Sequence, residues 1–152
     1  DANGSMLPTP FVLKQSVSVS VVSAPDLAIA NPGIVFTLDP NNSNRPLTIT
    51  ANFSNLGSER VENATIDFYD GFPEEGGTPI GQNTISLLPG QQGSTAINWT
   101  VPKEPHTIVV FPSSKNMFFD ADYSNEKASK ELKLCSVQAL PLGGTPTYQL
   151  CT

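Results

Sequence analysis

Charge is what this chain has least of. Only 14% of its 152 residues are charged, and its eight Lys and Arg are scattered along the sequence. A nucleic-acid surface needs clustered basic side chains to neutralise phosphates. With a formal net charge of −6, that partner class is excluded, and an anionic membrane surface with it. No apolar run approaches the roughly 20 residues that a membrane-spanning helix needs, so membrane insertion is not expected. No segment repeats apolar residues at the helical period, and no internal repeat marks a second domain. There is one histidine, His106, and one tryptophan, Trp99. A first-position Met is also missing. The opening Asp1-Ala2-Asn3-Gly4 is what a mature chain shows after removal of a secretion signal.

Scarcity of His and Cys limits the chemistry. A Ser-His-Asp triad would have to use His106, but no Ser lies in a Gly-x-Ser-x-Gly setting. Zinc wants three or four His or Cys ligands, and the two cysteines are better used elsewhere. Glu74-Glu75 with Asp120 and Asp122 could be cast as the paired carboxylates of a glycosidase, yet loop carboxylates are common. The glycines at 71, 76 and 77 join two strands and open no helix, so they make no phosphate cradle. Catalysis is not expected, and no cofactor is required. Calcium remains a weak candidate. Asp120-x-Asp122-x-Ser124, with Glu131 in twelfth place, has the spacing of an EF-hand loop. Its sixth place holds Asn125 where Gly is needed, and no helix flanks it. A looser oxygen site at Asp120, Asp122 and Asn125 is weaker than the plain reading, in which these residues shape a turn.

What the chain does have is alternation and punctuation. Its 14 prolines and 11 glycines separate short segments in which apolar and polar residues alternate. Leu47, Ile49, Ala51 and Phe53 share one face of a strand; Ala64, Ile66 and Phe68 share another. Ile97, Trp99 and Val101 follow the turn at Pro89-Gly90, and Trp99 is expected inside, near Phe53, Phe68 or Ile66. Asp26–Ala30 and Gly33–Leu38 read as two strands split by Asn31-Pro32. Strands at this spacing, joined by such turns, predict an all-β antiparallel sandwich.

The order of several short motifs is similar to that of CARDB modules, Ig-like domains of bacterial and archaeal surface proteins. The resemblance covers about residues 26–134. It runs through Asn52-Phe-Ser-Asn-Leu-Gly57, Phe68-Tyr-Asp-Gly71, Gly76-Gly-Thr-Pro-Ile-Gly81, Trp99-Thr-Val-Pro102, His106-Thr-Ile-Val109 and the acidic Asp120-Ala-Asp-Tyr-Ser-Asn-Glu126. The last departs from the family pattern at Tyr123 and Glu126. The resemblance implies an Ig-like sandwich of about seven strands, without activity, in a structural or adhesive role outside the cell.

The remaining segments flank that module. Residues 1–25 form an N-terminal extension in which Val17, Val19 and Val21 alternate with Ser16, Ser18 and Ser20. Residues 135–152 form a C-terminal hairpin. If its loop Leu142-Gly143-Gly144 is centred on Gly143, Cys135 and Cys151 stand opposite one another. A disulfide there would contribute about 3 kcal/mol and place the chain in an oxidising, extracellular compartment. Five sequons, at Asn3, Asn41, Asn52, Asn63 and Asn98, are glycosylation candidates.

The valine strand is surplus to the module, so it is either an extra edge strand on its own domain or a donor to a neighbouring copy, with Phe11, Val17, Val19 and Val21 then at the subunit interface. The expected function is therefore a secreted structural subunit of a cell-surface filament, partnered by other copies of itself. The alternative is a monomeric adhesion module that binds a surface glycan or protein through loops such as Gly71–Pro79.

Overall fold

The computed structural model describes residues 4, 16–19, 23–39, 42, 44, 46–102, 104–116, 120–137 and 147–151. Strands β1 (Leu27–Leu38), β2 (Pro46–Asn55) and β5 (Gln92–Thr100) form one sheet in the order β1-β2-β5. Strands β4 (Thr78–Leu87), β3 (Val61–Asp70), β6 (His106–Pro112) and β7 (Ala128–Leu132) form the second, in the order β4-β3-β6-β7. All the pairings are antiparallel. The two sheets face each other as an Ig-like sandwich of seven strands. A separate ribbon of β8 (Leu134–Val137) and β9 (Thr147–Leu150) follows.

Alternation explains the core. Leu47, Ile49, Ala51 and Phe53 of β2 are all fully buried and face Ile66 and Phe68 of β3 and Ile108 of β6, equally buried. Each large side chain removed from water contributes roughly 1.5–3 kcal/mol. The outward phase of the same strands carries Thr48, Thr50 and Thr65, which a two-layer sandwich leaves towards solvent, and Asp67, which is buried there and accepts from Gln82 Nε2.

Three expectations need correction. Asp26–Ala30 and Gly33–Leu38 are one strand, β1, interrupted by a bulge between Ile29 and Ile34 that holds the cis Asn31-Pro32 bond. A bulge on an edge strand is where Pro is tolerated, because no ladder N–H is required of it. Trp99 keeps its inward phase but is only partly buried. It pairs with Leu47 at the far end of the sheet and meets the His106 ring edge-on at 5.2 Å, well away from Phe53, which pairs with Gly93. In the C-terminal ribbon Cys135 pairs with Gln149, not Cys151. The Cys135–Cys151 disulfide forms nonetheless, running diagonally with its Cα atoms 5.5 Å apart.

One end of the sandwich is fastened by a buried amide. Asn55 is fully buried, and its Oδ1 accepts the N–H groups of Asp26 and Gly57 at 3.2 and 3.1 Å. Its Nδ2 donates to the carbonyls of Glu59 and Leu87 at 2.7 and 3.3 Å. This one side chain thus joins the start of β1, the β2–β3 turn and the end of β4. The Ala24 carbonyl accepts the N–H groups of Ser58 and Glu59 as well. Gly57 is required here, since a Cβ would overlap backbone atoms of Ala24, Pro25 and Asp26. Asn55→Ala strands these buried polar groups, each costing about 1–3 kcal/mol. Urea denaturation of that variant should show a loss of roughly 2–4 kcal/mol at unchanged slope; stability equal to wild type would contradict the assignment.

Candidate functional site

The same end of the molecule holds the acidic turn. Asp120 is buried and spends both carboxylate oxygens on backbone: Oδ2 accepts the Leu27 N–H at 2.9 Å and Oδ1 the Asp122 N–H at 3.0 Å. Asp122 Oδ1 accepts from the Ser124 N–H and hydroxyl at 2.9 and 2.5 Å, and those bonds hold its carboxyl below the usual range. Asn125 Nδ2 donates to Asp26 Oδ1 at 2.9 Å, and the Asn125 main-chain carbonyl accepts the Ile29 N–H at 2.9 Å. The residues proposed from sequence for calcium are therefore brought together, but as turn-formers and as a clamp on β1. Among the described residues, no three His, Cys, Asp or Glu side chains are grouped to hold a metal ion.

Glu126 closes this turn and is half-buried. Burial first, then the negative charges of Asp120, Asp122 and Asp26, push its carboxyl from the ordinary 4.5 up to about 7. It borders a cleft of about 430 Å³ lined by Phe111, Pro112, Ser113, Ser114, Asn116 and Tyr123. On the outer face of the four-stranded sheet, Tyr69 and Phe111 stack with centroids 5.6 Å apart. Lys127 lies 5.2 Å over Phe72 and pairs with Glu74 at 2.9 Å. No motif marked this aromatic face in the sequence; the clue was that Tyr69 and Phe111 both fall on the outward phase.

The expected interface residues are placed in part. Ser16–Val19 belong to no strand of the single chain, and Val17 and Val19 are 79% and 80% exposed. Phe11 and Val21 lie outside the described residues, as do the sequons at Asn3 and Asn41. Asn63 and Asn98 are exposed, Asn63 with a positive φ of 49°. Asn52 is partly buried, and its Nδ2 donates to the Pro32 carbonyl at 2.7 Å. The Gly71–Pro79 loop is tied to itself and to β6: the Gly77 N–H reaches the Phe72 carbonyl at 2.9 Å, and the Gly71 N–H that of Thr107 at 2.7 Å.

Two further groupings were not foreseen. His106 Nδ1 lies 2.7 Å from Asp70 Oδ2 while its ring meets Trp99, linking the sheets at the end opposite Asn55. Lys130 occupies the inward phase of β7, between Ala128 and Leu132. Its ammonium donates to the Ile34 carbonyl at 3.0 Å and lies 5.1 Å over the Phe36 ring.

No protein-family model matches the chain, and no curated protein matches it significantly. Solved structures do. The crystal structure of the CARDB domain of PF1109 from Pyrococcus furiosus, in complex with di-metal ions, is similar with a TM-score of 0.57 and 21% identity, over 74% of this chain and 94% of that one. The solution structure of the same domain gives 0.56 and 21%, over 72% and 94%. GmR58A from Geobacter metallireducens gives 0.51 and 23%, over 69% and 95%. The chain has the CARDB-type fold.

Glu126 makes stability depend on pH. Its folded value lies above the unfolded one, so its contribution is fully present below about 4.5 and is lost as pH rises through about 7. Glu126→Gln should therefore gain on wild type in melting temperature across that window and hold a constant lead above it. A difference that stays flat from pH 4 to 8 would contradict the burial of this carboxyl.

Proposed function

We propose that this CARDB-type module is a secreted structural subunit of a cell-surface filament, which assembles head-to-tail by lending its N-terminal strand to the next copy. One observation carries the reading: Val17 and Val19, in a strictly alternating segment, stand 79% and 80% exposed on the single chain. Strict alternation is the pattern of a strand with one buried face. An apolar strand left unpaired invites pairing with another chain. Covering each valine contributes roughly 1.5–3 kcal/mol, and main-chain hydrogen bonds add to it. The Cys135–Cys151 disulfide suits an oxidising compartment, and the family resemblance favours an extracellular role. No helix among the described residues is long and apolar enough to cross a membrane.

The second reading, a monomeric module that binds a glycan or protein, is favoured by the cleft beside Phe111 and Tyr123. Val19→Asp separates the two. It puts a charge where the donor strand must be apolar and should abolish sedimentable polymer while leaving the far-UV spectrum unchanged. Persistence of polymer in that variant refutes donation; a wild-type protein that is monomeric at all concentrations supports the binding module.

Surface exposure also orders the sequons. Asn63 and Asn98 are exposed and engage their Oδ1 atoms, which accept the Ser86 and Thr48 hydroxyls, whereas in Asn52 it is Nδ2, the atom a glycan would take, that donates to Pro32. Glycopeptide mass spectrometry of native protein should find glycan at Asn63 or Asn98 in preference to Asn52. Modification at Asn52 alone would contradict this order.

A further inference from the structure

Resting on the filament reading, we infer where the donated strand docks: on the outer edge of the second half of β1, Ile34–Leu38, with Lys130 as its guard. The sandwich has two flanks at which edge strands of opposite sheets meet. The β4/β5 flank is closed, because Asn83 Nδ2 donates to the Ala96 carbonyl at 2.8 Å. Side chains of β4 also press on β5 there: a Cβ on Gly93 would stand only 2.8 Å from a Leu87 methyl.

On the other flank β1 divides into two halves. Its first half is occupied, since the Leu27 and Ile29 N–H groups are taken by Asp120 and by the Asn125 carbonyl. These two residues therefore turn their polar groups away from β2. Their β2 partners are Asn55 and Phe53, and the series continues Ile34–Ala51, Phe36–Ile49 and Leu38–Leu47. Every second position of β2 is used throughout, so the bulge leaves the parity unchanged. Ile34, Phe36 and Leu38 must likewise point N–H and C=O outward and their side chains inward. Beyond the Lys130 contact on the Ile34 carbonyl, no strand among the described residues pairs with β1 on this side. Phe36 and Leu38 are only partly buried.

The occupant fits in period. An added strand presents alternate side chains inward, and Val17, Val19 and Val21 match the inward places beside Ile34, Phe36 and Leu38. With Val19 beside Phe36, the register that centres the three valines on the three apolar places, the strand must come from another copy. Leu27 to Phe36 spans the same length as Asn55 to Ile49, six residues of β2, or about 20 Å. Ala24, which anchors the extension through Ser58 and Glu59, lies farther still. Val19 is only five residues from Ala24 and reaches about 17 Å at full stretch. Donor and acceptor thus sit at opposite ends of one subunit, the arrangement that generates an open head-to-tail chain.

Lys130 supplies the guard. Lys130 is exposed, yet its ammonium sits on the Ile34 carbonyl at the open edge; a lysine so placed opposes unwanted edge pairing, because a newcomer must displace or desolvate its charge. Its flexible stem lets the ammonium swing into water when the correct strand arrives.

Mixing experiments test the site. Val19→Asp lacks a donor and keeps the edge; Phe36→Asp keeps the donor and spoils the edge. Neither alone should sediment as polymer, and an equimolar mixture should yield a discrete dimer by light scattering and stop there. If Phe36→Asp proves unfolded by circular dichroism, Leu38→Pro takes its place, because it withdraws an N–H that points away from β2. Wild-type polymerisation by the folded edge variant, or a mixture that stays monomeric, overturns the β1 site while leaving donation intact. Polymerisation of Val19→Asp instead overturns the underlying filament reading. Lys130→Ala should shorten the lag of wild-type assembly severalfold; an unchanged lag removes Lys130 from the account.

Discussion

Among the described residues, the Asn55 amide joins more of the backbone than any other side chain. Its four hydrogen bonds satisfy backbone groups that the β2–β3 turn would otherwise leave buried and unpaired. They also set where the chain enters β1. On the opposite side the Asp120 carboxylate takes the Leu27 N–H, and the Pro25 carbonyl accepts the Ala121 N–H. Ala24–Leu27 is therefore gripped between two turns. The extension leaves the sandwich at that grip, and the length available from it decides which surfaces the valines can reach.

The two halves of β1 divide the labour that follows. The first is closed by Asp120 and Asn125 and belongs to the fold. The second carries inward apolar side chains beneath a lysine and, among the described residues, is paired with no strand on its outer side. A sandwich that must stay soluble before assembly needs its open edge guarded, and a charge on a flexible stem achieves that reversibly. The opposite end is braced by Trp99 against His106 and by Leu134 and Leu150 of the ribbon, which pack on the core. The stapled ribbon thus belongs to the end of the sandwich where β1 finishes.

Much of this was legible in the residues. The period-two runs of β2 and β3 announced their buried faces, because a strand fixes side-chain direction by parity alone. Depth was less legible than direction: Trp99 has the right phase but sits at a strand end, where the layers open. The ribbon register slipped by two residues, which leaves every side chain on its face and therefore no trace in the hydrophobic pattern. Asp120, Asp122 and Asn125 shape a turn whose local bonds follow from adjacent residues, yet its partners Leu27 and Ile29 lie far off in sequence. Lys130 illustrates a different limit. Its place between Ala128 and Leu132 gave it an inward phase, but a lysine reads as solvent-facing until the edge it covers is known.

Electron cryomicroscopy of native assemblies bears most directly on the central claim. The account predicts that density for Val17–Val21 of one subunit runs as a strand beside Ile34–Leu38 of the next, with the Lys130 ammonium turned outward. Density showing that segment paired within its own subunit, or subunits joined through any other surface, would contradict it.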